Sequence, residues 1–208
     1  MQRILIIAPH PDDEAIGCGG AIVAHIRNGD QVEIVFLTSG EKGGHGRTEE
    51  ETLALREAES VKAAEILKPT SIEFWRQPDG ALSVNKAVVE RLYKRIASRR
   101  TDMVYVPHEM ESHPDHRAAA EIVRRAVQKI RTDKRPMVRM YEVWTPLQRM
   151  DIISDITQHV EVKRAAVNAY VSQCAEVDFE AAILGLNRYR GEMHCWPEGE
   201  YAEVFKLM

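Results

Sequence analysis

The chain has 208 residues, 44% of them hydrophobic, with a formal net charge of −4 and a pI of about 6.1. This is enough apolar material for a substantial core, no stretch has the composition of a linker, and one domain over residues 1–208 is expected. The mild acidity argues against a protein built to sit on nucleic acid or an anionic membrane, and no apolar run approaches the ~20 residues that cross a bilayer.

Met1-Gln2-Arg3 leads directly into apolar sequence without signal-peptide organisation, so a cytoplasmic protein is expected. Cys18, Cys174 and Cys195 are odd in number and widely spaced, which suits reduced thiols better than a disulfide framework.

The apolar run from Ile4 stops abruptly at His10, Pro11, Asp12, Asp13 and Glu14. It reads as the first strand of a parallel sheet entering a polar turn, at the edge where open α/β sheets bind ligands. A bent backbone there can aim His10 and Asp13 at a common point, which is metal-ligand chemistry; the structural alternative is that the aspartates cap the next helix. That helix is expected over residues 16–27, with Gly17, Gly19 and Gly20 letting it pack closely on the sheet. Neither a phosphate loop nor GxGxxG spacing is present, so a dinucleotide reading fails. Cys18 is expected to pack rather than ligate.

Residues 31–37 read as the second strand, followed by a Gly- and Ser-rich loop that serves either as a solvated connection or as a lid, with His45 exposed on it. A capping-box pattern at Thr48 opens a helix over residues 48–67. In it, Arg56 either pairs with Glu57 along the helix or points to the rim to hold a polar substrate. Residues 71–75 form the third strand, and Pro78-Asp79-Gly80 is a turn in which Asp79 either serves the turn alone or also bonds a substrate hydroxyl. A helix with a basic end covers residues 85–99.

The fourth strand, residues 103–106, is followed by His113-Pro114-Asp115-His116. Pro114 suits the first turn of a helix running to about residue 131, and the three-residue spacing sets His113 and His116 on one face. Two His/Asp turns on one rim make a three-ligand site with an open position, the layout of a catalytic zinc centre. A fifth strand is expected over residues 138–144. The alternation defines an α/β, Rossmann-like three-layer sandwich, a mostly parallel sheet with helices on both faces. The last third breaks the rhythm, with a short strand over 151–157, helices over 160–172 and 179–189, and a closing strand over 201–207. The His194-Cys195-Trp196 group is read as loop packing.

With both clusters in hand, the sequence resembles the LmbE-like, or PIG-L, family of metal-dependent de-N-acetylases, whose hallmarks are a His-Pro-Asp-Asp-Glu turn near the N-terminus and a later His-Pro-Asp-His. Supporting matches are Arg56-Glu57-Ala58-Glu59, Pro78-Asp79-Gly80 and Tyr201-Ala202-Glu203-Val204-Phe205. The resemblance implies that His10, Asp13 and His116 bind zinc and that Asp12 is the general base. It also implies that His113 steadies the oxyanion and protonates the departing amine, that Asp115 orients His113 from behind, and that Arg56 and Asp79 contact substrate. Two departures stand out: Glu111 occupies a position where some members carry a tyrosine, and Pro9 replaces a common alanine.

The leading expectation is a zinc-dependent hydrolase that removes an acetyl or other acyl group from an N-acylated amino sugar or its conjugate, a small-molecule partner. A metal-dependent amidase acting on a non-sugar or thiol-conjugate amide is the second reading. The third is a non-catalytic carbohydrate-binding protein with a structural metal, which needs a fourth protein ligand such as His108 or His194. Iron, cobalt or manganese would suit the same ligands, and a homo-oligomer stays open.

Overall fold

Strand β1 (Arg3–Ala8) is buried from Ile4 onward, as a strand with neighbours on both sides and helices on both faces must be. It pairs in parallel with β2 (Gln31–Thr38) on one side and with β4 (Met103–Pro107) on the other. Beyond β2 lies β3 (Ser71–Gln77), also parallel; beyond β4 lies β5 (Met137–Tyr141), parallel again. Two antiparallel strands, β7 (Ala202–Leu207) and β6 (Ile152–Asp155), complete a seven-stranded sheet of order β3-β2-β1-β4-β5-β7-β6. The strand order reverses between β1 and β4, so both His/Asp turns emerge at the topological switch point, where doubly wound sheets form their ligand crevice. The computed structural model describes residues 1–44, 46–197 and 199–208; His45 lies outside the described residues.

The period-two alternation of β1 feeds two separate cores. Ile4, Ile6 and Ala8 pack with α1 (Asp13–Arg27), α2 (Glu49–Leu67), α5 (Val160–Asn168) and α7 (Phe179–His194). Leu5 and Ile7 pack with α3 (Lys86–Arg99) and α4 (Pro114–Gln128) on the other face. Thr48 caps α2 with the reciprocal Thr48–Glu51 capping box that the sequence signalled.

The helix expected over 179–189 runs on to His194, and three further boundaries differ from expectation for tertiary reasons. The first helix begins at Asp13, breaks at Cys18 (φ −145°, ψ 23°) and continues. Glu203 of β7 accepts the Gly20 and Ala21 N–H groups at 2.8 Å each, and Lys163 donates to it at 2.6 Å, all in the interior. Gly17 is required here, because a Cβ on it would lie 2.1 Å from the Tyr141 ring. The predicted 160–172 helix divides into α5 and α6 (Val171–Cys174) at the buried Tyr170, whose hydroxyl reaches Glu14. Strand β5 stops at Tyr141 rather than Trp144, because the carboxylate of Glu111 takes the N–H groups of Val143, Trp144 and Thr145.

Candidate metal centre

The first turn is bent at Asp12, which adopts φ 114° and ψ −32°, a conformation that costs an L-residue about 1–3 kcal/mol and that clusters at functional sites. Its side chain makes no cap bond to α1, so the capping alternative does not describe it. The Asp12 carboxylate instead accepts from Arg56 Nη2 at 3.0 Å. Asp13 is turned back, and its Oδ2 accepts the His10 backbone N–H at 2.8 Å. At the second turn His113 is the N-cap of α4, with Pro114 in the first turn, and its Nδ1 accepts the Asp115 N–H at 3.2 Å. That bond leaves the ring proton of neutral His113 on Nε2.

The two turns meet in a triangle of donor atoms. His10 Nδ1 lies 3.2 Å from Asp13 Oδ2 and 3.2 Å from His116 Nε2, and His116 Nε2 lies 3.2 Å from Asp13 Oδ2. A tetrahedral ion with bonds of about 2.0–2.1 Å requires ligand–ligand edges of roughly 3.3 Å, so the spacing fits a single cation. The outer nitrogens both face carboxylates. His10 Nε2 is 3.1 Å from Asp79 Oδ1 and 3.3 Å from Asp115 Oδ2, while His116 Nδ1 has no hydrogen-bond partner and stands 3.6 Å from Glu111 Oε2. Carboxylates behind ligand imidazoles fix the ring proton outward, which turns the inner lone pairs toward the shared point.

Three converging lone pairs in a buried site repel one another unless a positive charge lies between them. The titration of the site expresses this demand with protons. Burial lowers His10, but bonds to Asp115, Asp13 and Asp79 outweigh it and hold the imidazole well above its ordinary range. Burial likewise opposes charge on His116, yet Asp13 raises it to about 9. Asp13 itself, against its burial, is held far below the usual carboxylate range by His116 and His10. Two further groupings, His10–His113–His116 and His10–Asp79–Asp115, have potential donor atoms within 4.8 Å of one another. His10 contributes Nδ1 to the triangle and Nε2 to the carboxylate pair, so the pair braces the ring rather than forming a second centre.

Asp12 stands beside the triangle, and burial pushes its carboxyl up to about 7 against the opposing charge of Arg56. Arg56 makes no ion pair with Glu57, which binds Arg76 at 2.9 Å and Ser39 at 2.6 Å. The buried Arg56 guanidinium also donates to Pro11 O at 2.6 Å and Gly40 O at 3.0 Å. Asp79 lies at the rim, committed to His10 and to the Lys42 N–H at 2.9 Å. The expected orientation of His113 by the Asp115 carboxylate is corrected: that carboxylate accepts from Gly80 N–H at 2.7 Å and Leu82 N–H at 3.0 Å and meets His10. The backbone N–H of Asp115 holds His113 instead.

His10, Asp12, Asp13, Arg56, Asp79 and His113 line a cavity of about 320 Å³ that also touches Lys42, Gly43, Trp144, Gln173 and Phe179. The glycine-rich loop lends Lys42 and Gly43 to its lining and is fastened by Arg56 at Gly40, Asp79 at Lys42 and Gln173 at Gly43. Neither suggested fourth ligand joins the triangle. His108 Nε2 bonds Thr145 O at 2.7 Å and its Nδ1 accepts from Met110 N–H, while His194 is exposed at the end of α7. The sequence marks Glu111 only as a departure from the family pattern and does not single out the Tyr170–Glu14 contact behind the first turn or Trp144 in the cavity lining; the unusual carboxylate before the second cluster was the available signal.

A parallel sheet with His and Asp donors gathered on one point at its switch defines the class: a Rossmann-like protein with a candidate metal centre. The GlcNAc-PI de-N-acetylase (PIG-L) family model matches residues 5–127, and the chain belongs to that family. Diacetylchitobiose deacetylase of Thermococcus kodakarensis is 36% identical over 124 residues, which take in 57% of this chain and only 46% of that protein. The probable N-acetyl-alpha-D-glucosaminyl L-malate deacetylase 2 of Bacillus anthracis is 27% identical over 84% of this chain and 82% of its own length. The solved structure of N,N'-diacetylchitobiose deacetylase from Pyrococcus horikoshii superimposes with a TM-score of 0.87 at 25% identity, covering 100% of this chain and 84% of that one. Among the described residues no helix is long and apolar enough to cross a membrane.

Proposed function

We propose that the protein is a divalent-metal hydrolase that removes the N-acetyl group of an amino sugar or amino-sugar conjugate. The observation that carries the reading is the 3.2 Å triangle of His10, Asp13 and His116 with the Asp12 carboxylate beside it. The family and the names of its relatives supply the substrate class. Zinc is the metal that best matches two imidazoles, one carboxylate and these short edges, although the same donors accept iron, cobalt or manganese. Three protein ligands leave a coordination place for exchange, which a structural site would fill. The free thiols of Cys18, Cys174 and Cys195 suit a reducing cytoplasmic setting.

When bound, the ion supplies Lewis-acid polarisation of the acyl carbonyl and a lowered pKa for water. Asp12, deprotonated, takes the proton of the water whose oxygen attacks the acyl carbon. His113, held low by burial and by the nearby His10 and His116, is neutral at pH 7 and presents its Nε2–H to the oxyanion that develops on the acyl oxygen. As the C–N bond breaks, the proton taken by Asp12 passes to the departing nitrogen, giving acetate and a free amine. Arg56 keeps Asp12 aimed and ionisable, and Asp79 and Asp115 hold the His10 ring proton outward.

The test is release of free amine by zinc-loaded protein across N-acetylglucosamine, its conjugates and simple non-sugar acyl amides. Turnover of the sugar amides supports the reading. Turnover confined to non-sugar amides establishes the amidase alternative, and sugar binding without turnover establishes the carbohydrate-binding one.

A further inference from the structure

Trp144 is 48% exposed at the mouth of the cavity, yet its backbone is fixed. Its N–H donates to Glu111 Oε1 at 3.1 Å and Oε2 at 3.2 Å, between the similarly held Val143 and Thr145. Its indole meets the buried Phe179 ring edge-on, with centroids 5.6 Å apart at 64°. The same carboxylate stands behind His116, so the placement of the indole is tied to the metal triangle. A large aromatic held this firmly and left half in water is ready for a ring to cover it.

The cavity's volume decides which ring. About 320 Å³ is at the low end of small-molecule sites, roughly 300–1,000 Å³, and suits a single sugar unit over the triangle. A second unit joined to it extends toward the open side of the cavity, where the half-exposed Trp144 is part of the lining. A pyranose presents C–H groups on one face, which an indole's electron-rich face attracts, and hydroxyls around its edge, for which Lys42 and Gln173 stand on the same rim.

Resting on the function proposed above, we propose that Trp144 is a stacking platform for a second sugar ring glycosidically attached to the N-acetylated one. The protein is thereby a deacetylase of disaccharide-type substrates in preference to free monosaccharides.

The test compares N-acetylglucosamine, N,N'-diacetylchitobiose and N-hexanoylglucosamine as substrates of the zinc-loaded wild type, Trp144→Phe and Trp144→Ala. In the wild type kcat/KM favours the disaccharide over the monosaccharide. In Trp144→Ala that ratio falls roughly three- to tenfold through KM rather than kcat, and Trp144→Phe recovers part of it. An unchanged ratio overturns the proposal, as does a loss equal for both sugars. A change confined to the hexanoyl substrate overturns it too, because the indole then serves the acyl chain. If the wild type releases amine from neither sugar, the proposed function itself fails and this inference with it.

Discussion

Replacing Arg56 by methionine removes the cation 3.0 Å from the Asp12 carboxylate. At an effective dielectric of about 20 and roughly 4 Å between charge centres, that attraction is worth up to ~4 kcal/mol, and neighbouring Arg typically lowers an Asp pKa by ~1–3 units. Burial already pushes Asp12 up to about 7 with Arg56 present. The sign follows directly: the base works only deprotonated, so activity rises with pH through the Asp12 pKa, and loss of Arg56 moves that rise to higher pH. A bound dication lowers the starting position in both proteins alike, so the displacement of the limb is the predicted quantity. With a two-unit shift, kcat/KM one pH unit above the wild-type midpoint falls ~10-fold and recovers well above the new midpoint. The assay is the pH profile of kcat/KM by amine release. Arg56→Lys serves as the control, because it keeps the charge while losing the bonds to Pro11 and Gly40. Its limb stays near that of the wild type. A methionine variant whose limb does not move, with activity lowered evenly at every pH, refutes the coupling and makes Arg56 a brace of the loop.

Three further variants test the supports of the site. Lys163→Met strands the Glu203 charge in the interior at a cost of ~3–5 kcal/mol, a fall in Tm on the order of 10 °C; the double variant with Glu203→Gln regains most of it. A single variant that melts with the wild type contradicts that assignment. Gly17→Ala drives a Cβ into the Tyr141 ring and lowers stability by ~1–3 kcal/mol, read by urea denaturation. Glu111→Ala removes the acceptor of three backbone N–H groups and the carboxylate behind His116. Zinc affinity by competitive chelation then falls ~10–100-fold.

Strands and helices through α4 were readable because each is specified locally, by apolar runs, caps and turn residues. His10 and His116, 106 positions apart in the chain, could be paired because each turn follows a strand and strand ends share one rim. What could not be read depends on which groups meet across the fold. Nothing near Trp144 says that Glu111 will draw residues 143–145 out of the ladder. The family resemblance made Asp115 a partner of His113, whereas the Gly80 and Leu82 N–H groups turn its carboxylate to His10. The sequence left Arg56 between a helical ion pair and the rim; Arg76 on the next strand claims Glu57, and Arg56 goes to Asp12.

Equilibrium dialysis against buffered zinc, paired with turnover, probes the metal centre most directly. One ion per chain is expected in the wild type and in Asp12→Asn, which loses ~10²–10⁴ in kcat, and none in Asp13→Asn. Wild-type stoichiometry persisting in Asp13→Asn, or full turnover in Asp12→Asn, would contradict the assignment of ligand and base.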